Sequence, residues 1–153
     1  MNSHSATPEL SQAIAQHLTC CQSLLTILER ERNALIANDP PGLRQISTLK
    51  LELVKDLQRL GENLQTLQRG ASIDALIDAH PAAPQLSAQW HKLMTLAHEC
   101  EQANFANGAL LDERQAQIRR TLNSLFSNSN TTTLYSAGGI TGYRPQGRLY
   151  ASA

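Results

Sequence analysis

Aromatic side chains are scarce in this chain: two Phe, three Tyr and one Trp make up only 4% of it. Glycine and proline are sparse too, eight and six in 153 residues. Sheet proteins draw on aromatic and β-branched surface and on frequent turns. The Leu, Ala and Gln that dominate here favour helix instead. Neither sign of charge is in surplus, with thirteen basic and thirteen acidic residues. Wholesale nucleic-acid binding calls for a basic excess, so it is disfavoured. No apolar run approaches the ~20 residues that a membrane span requires. Residues 1–8 have neither the basic nor the apolar stretch of a secretory signal, which points to the cytoplasm. The three cysteines, Cys20, Cys21 and Cys100, are odd in number and form no CxxC. They suggest reduced thiols rather than a disulfide framework or a zinc site.

The positive signal is helical periodicity. Thr7-Pro8-Glu9 opens a first helix, over about 8–38. Its stripe runs Ile14, Leu18, Cys21, Leu25, Leu28, Arg32 and Leu35 in steps of four and three. The run Glu29-Arg30-Glu31-Arg32 reads as a solvated face. Asn38-Asp39-Pro40-Pro41-Gly42 then breaks the chain, and Asp39 can cap the next helix. This second helix, over 41–69, carries the cleanest stripe: Leu43, Ile46, Lys50, Leu53, Leu57, Leu60, Leu64 and Leu67. Lys50 is its one polar member, and Gly70 is placed to end it. Two helices of similar length across a short break predict an antiparallel hairpin, each arm roughly 40–45 Å long.

A short helix over about 73–79 precedes the third long helix, 84–126. There the stripe runs Leu86, Trp90, Leu93, Ala97, Cys100, Asn104, Asn107 and Leu111. It then resumes one step late as Gln115, Ile118, Leu122 and Leu125, a stutter in the repeat. The expectation is an all-α fold: an antiparallel hairpin plus a third long helix in a coiled-coil-like bundle (1–126), with a flexible tail (127–153). The third helix outruns the hairpin, leaving Leu111, Ile118, Leu122, Leu125 and Phe126 as a candidate partner surface. A kink at Asn107-Gly108 that folds the end back is the other reading. Asn104 and Asn107 either fix register from inside the stripe or mark a place where the helix departs from the hairpin. Gly108 suits a bend or a close approach. Leu134-Tyr135 and Leu149-Tyr150 stand out in the tail, as docking elements or as incidental residues.

Chemistry is hard to find. His91 and His98 lie seven apart with no Glu-x-x-His or His-x-x-x-His, so they read as surface residues. No nucleophile elbow or phosphate loop occurs. The pattern carries no catalysis, cofactor or metal.

Four features together resemble the FlgN family of flagellar export chaperones. They are the charged first helix with its Leu-rich partner, Trp90 fourteen residues before Asn104, the run Asn104-x-x-Asn107-Gly108-x-Leu110-Leu111, and Leu134-Tyr135-Ser136-Ala137-Gly138-Gly139 in the tail. Gly138 departs from the family pattern, which often has an acidic residue there. The resemblance implies a cytoplasmic chaperone that binds the hook–filament junction proteins FlgK and FlgL and keeps their terminal helices from self-association. It implies delivery to the flagellar type III export gate. By the same resemblance, cargo binds at Leu111, Ile118, Leu122, Leu125 and Phe126, and Tyr135 docks on the gate protein FlhA. A self-associating helical scaffold is the alternative on the same exposed stripe. A nucleic-acid binder using Arg144 and Arg148 is a weaker one.

Overall fold

The computed structural model describes residues 6–132, and side chains from 8 to 127. It is all-α, with four helices among those residues: α1 (Ala6–Ala37), α2 (Pro40–Gln68), α3 (Ile73–Asp78) and α4 (Ala83–Thr132). The first compact unit is Met1–Arg114; the second begins at Gln115. The sequence placed a boundary after Phe126, whereas the contacts divide the chain after Arg114.

The hairpin turn is built by its local chemistry. Asn38 takes a left-handed conformation (φ 54°), which asparagine tolerates better than most residues. This lets Asp39 N–H reach Ala34 O at 3.0 Å. The Asp39 carboxylate then accepts the Gly42 N–H at 3.1 Å and caps α2. Pro40 and Pro41 fill the first turn, where no amide donor is needed. A Cβ at Gly42 would run into the Asp39 carboxylate and displace it from its capping position. The double proline that breaks the pattern thus starts α2 rather than preceding it. At the far end Arg69 (φ 47°) and Gly70 (φ 86°) close α2 in left-handed conformations. Ser72 caps α3 by accepting the Ala75 N–H at 3.2 Å.

The main core lies at the open end of the hairpin. Leu10, Ala13, Ile14 and Cys21 of α1 meet Leu64 of α2, Ile73 and Ile77 of α3, and Leu86 and Leu93 of α4. The short α3 therefore supplies two buried isoleucines as well as a connection. Towards the turn a smaller cluster of Ile27, Ala34 and Ile46, joined by Leu43, Leu49 and Leu53, draws on α1 and α2 alone. Leu28 and Leu35 of α1 are buried in the same stretch.

α4 runs parallel to α1, and polar groups fix it. Cys100 Sγ donates to Cys21 O at 3.4 Å, Asn107 Nδ2 to Leu28 O at 2.8 Å, and Arg114 Nη2 to Ile36 O at 2.8 Å. The donors recur every seven residues, so they share one face of α4 and climb α1 in step. Asn107 is the buried member, 4% exposed. Its amide also donates to Glu31 Oε2 at 2.9 Å. Lys50 Nζ grips the same carboxylate at 3.0 and 3.1 Å. One node thereby joins α1, α2 and α4. Glu31 is not part of a solvated face: its side chain is 14% exposed, while Glu29, Arg30 and Arg32 are exposed. The stripe on α1 passes one position earlier than the apolar count suggested.

Several helix ends differ from expectation. α1 begins at Ala6, so Thr7 lies inside the first turn rather than capping it. α4 continues to Thr132 instead of stopping at Phe126, so residues 127–132 of the expected tail are helical. Ser, Asn and Thr cost only about 0.5 kcal/mol each in a helix, and an existing helix gains a hydrogen bond per added residue. Ser127 also returns its hydroxyl to Asn123 O at 2.8 Å. The remainder of the expected tail lies outside the described residues.

Two neighbouring substitutions should act in opposite directions. A Cβ on Gly108 meets nothing within 4 Å, so neither a close approach nor a bend in the unbroken helix depends on that glycine. Gly108→Ala should stabilise the protein by about 1 kcal/mol. Asn107→Ala strips a donor from a part-buried carboxylate and should cost about 1–3 kcal/mol. Urea unfolding followed by circular dichroism reads both.

Candidate functional site

The two units present different surfaces. From Gln115 to Phe126 no described side chain is buried. Ile118 is 58% exposed, Leu122 46%, Leu125 60% and Phe126 68%. Ile118, Leu122 and Leu125 succeed one another by four and three, which sets them on one face of the helix. Exposed aliphatic residues in such a row have no core to serve. Arg119 and Arg120 are exposed as well, and Arg120 Nε turns back to Ala116 O at 3.4 Å.

Leu111, expected with these residues, lies in the first unit and lines a cavity there. This cavity holds about 290 Å³, between Leu43, Ser47 and Lys50 of α2 and Asn104, Gly108 and Leu111 of α4. A second cavity of about 450 Å³ adjoins it, with Lys50 and Asn104 lining both. The larger one is walled by Val54, Leu57 and Leu64 of α2 and by Trp90, Met94 and Ala97 of α4. Cys21, Leu24 and Leu28 of α1 form its floor. α1 therefore carries both other long helices, while α2 and α4 leave an apolar groove between them.

Of the three signature residues, Asn107 is buried in the node, whereas Asn104 is exposed and lines both cavities. Gly108 borders the smaller cavity. Tyr135 lies outside the described residues. Glu31 was missed as a partner of Lys50. The signal available for it was that α1 positions 17, 21, 24, 28, 31 and 35 also step by four and three. The groove itself was missed because stripes drawn one helix at a time do not reveal that two walls fail to close.

The three cysteines are buried and free. Burial pushes the Cys21 thiol up to about 11, with further help from the neighbouring Cys100 and Cys20. Burial raises Cys20 and Cys100 as well. They pack as small apolar residues. Among the described residues no group of three His, Cys, Asp or Glu could hold a metal ion. No helix described is long and apolar enough to cross a membrane.

Residues 1–141 match the family model described as FlgN protein. No curated protein and no solved structure matches the chain.

Thiol chemistry reports on the packing around α1 and α4. Relative to a thiol at 9.0, Cys21 holds about a hundredfold less thiolate at neutral pH. Iodoacetamide at pH 7.5 should therefore label the native protein far more slowly than the urea-unfolded chain. The folded state prefers the protonated thiol. Its contribution to stability is therefore complete below pH 9 and is lost as pH rises through about 11. Chemical unfolding at pH 8 and at pH 10.5 checks the direction.

Proposed function

The chain belongs to the FlgN family of flagellar export chaperones, and from that premise we propose that it binds FlgK and FlgL in the cytoplasm and delivers them to the export gate. The observation that carries this reading is the row Ile118, Leu122, Leu125 and Phe126, exposed on a helix that is already formed. An export cargo must stay unassembled, so an amphipathic helix at its terminus needs a temporary apolar partner. A preformed helix pays none of the ordering cost that a disordered site pays on binding. Burying four large apolar side chains is worth about 6–12 kcal/mol gross, of which association entropy removes a large share. The result is an affinity compatible with release. No bond is made or broken in this mechanism. Tyr135 is the proposed contact for the gate protein FlhA, on the family resemblance.

The cargo reading is tested with the C-terminal helical segment of FlgK or FlgL and the full-length chain. Leu122→Glu with Leu125→Glu should abolish the complex and leave the helical circular dichroism unchanged, because neither residue is buried. Survival of the complex would place the cargo elsewhere. Tyr135→Ala should preserve cargo binding and weaken capture by FlhA. The same stripe could instead join copies of this chain. Sedimentation velocity separates the two: a scaffold shows a concentration-dependent oligomer that the double variant dissolves.

A further inference from the structure

The groove of the first unit has the repeat of a coiled coil from which one helix is missing. α1 runs parallel to α4 and antiparallel to α2, so numbers rise along one wall of the groove as they fall along the other. Trp90 and Leu64, Ala97 and Leu57, Asn104 and Lys50, and Leu111 and Leu43 then line it at matched steps of seven residues. From Trp90 to Leu111 the groove is about 31 Å long, or three heptads. Two of its lining residues, Val54 and Met94, are apolar and each 45% exposed. A groove of this length and repeat takes the side chains of one more helix as knobs between the walls.

The centre of the groove selects among helices. Lys50 is polar, but Glu31 neutralises it at 3.0 Å. Asn104 is exposed, lines both cavities and makes no hydrogen bond to another described residue. The middle is thus polar without excess charge. A carboxylate there would meet Glu31 and the nearby Glu101, and a buried aliphatic group would strand the amide. A carboxamide can both donate to and accept from Asn104.

We propose that the groove between α2 and α4 is a seat for one amphipathic helix of a partner protein, three heptads long, aliphatic along its stripe and carrying Asn or Gln at the centre. The occupant is not this chain's own exposed stripe, which spans only one heptad from Ile118 to Leu125. The seat uses first-unit residues alone and does not depend on the cargo reading given above.

The probe is a fluorescein-labelled peptide of 21 residues, with Leu along the stripe, Gln at the central position and alternating Lys and Glu elsewhere. Its anisotropy is titrated with the full-length protein, beside a twin peptide with Leu at the centre. Saturable binding is expected, at least about tenfold tighter for the Gln peptide. Val54→Glu and Met94→Glu, both at half-exposed sites, should each weaken it by about tenfold or more. Leu122→Glu should change it by less than about twofold. That variant separates failure of this seat from failure of the cargo stripe. Asn104→Leu should reverse the preference between the two peptides. Absence of saturable binding up to about 100 µM overturns the proposal, since that is weaker than about −5.5 kcal/mol for a groove this long. Indifference to Val54→Glu overturns it too. So does a dimer of the protein that Val54→Glu dissolves, because the occupant is then a second copy.

Discussion

Three helices depend on one carboxylate. Glu31 of α1 accepts from Lys50 of α2 and from Asn107 of α4, and Asn107 also reaches the α1 backbone at Leu28. The node sits beyond the apolar cluster that α4 shares at the open end. At the open end of the hairpin, Leu86 and Leu93 anchor that helix in a shared core; nearer the turn the core belongs to α1 and α2. A half-buried ion pair contributes little net stability, because desolvation offsets the Coulomb gain. Its strength is selectivity. Sliding α4 by one turn along α1 would leave a buried amide and a carboxylate without their partners, whereas an aliphatic contact would tolerate the shift. The donors at Cys100 and Arg114 repeat the same register one heptad to either side.

This arrangement divides the stripe of α4 before its stutter. Up to Leu111 the structure separates it into two neighbouring rows. Leu86, Leu93, Cys100 and Asn107 face inward and are buried. Trp90, Met94, Ala97, Asn104 and Leu111 line the groove. A helix that borders both a core and an open groove needs apolar character on two adjacent faces. A one-dimensional count merges them.

The helices, the hairpin and its turn were legible in the sequence because each is written locally: steps of four and three, an Asp-Pro-Pro-Gly turn, a serine cap. Lys50 stood out as the polar member of its row, but its partner did not. Glu31 sat in a run of alternating charge, where three of four residues do face water. Which of them turns inward depends on how α1 rotates against two other helices, and no local pattern encodes that. Helix ends were the least legible, since Ser127 to Thr132 has the composition of a loop and continues α4 by propagation alone. Asn104 and Asn107 looked equivalent by residue type. Their environments differ because residues three apart on a helix that borders core and groove need not face the same way.

The parallel course of α1 and α4 also sets an order of events for the chain as it forms. The contacts of the hairpin arms next to the turn join residues only a few positions apart. Those between α1 and α4 join residues 78 or 79 positions apart. Closing so long a segment carries a larger entropic cost, and it is recovered only when the node and the open-end core assemble together. Residues through Arg114 must exist before α4 can be secured, so during synthesis the groove wall is completed well after its floor. The nascent hairpin meanwhile exposes the apolar row of α1 that α4 later covers, and that interval is when the protein is most open to association with the wrong helix.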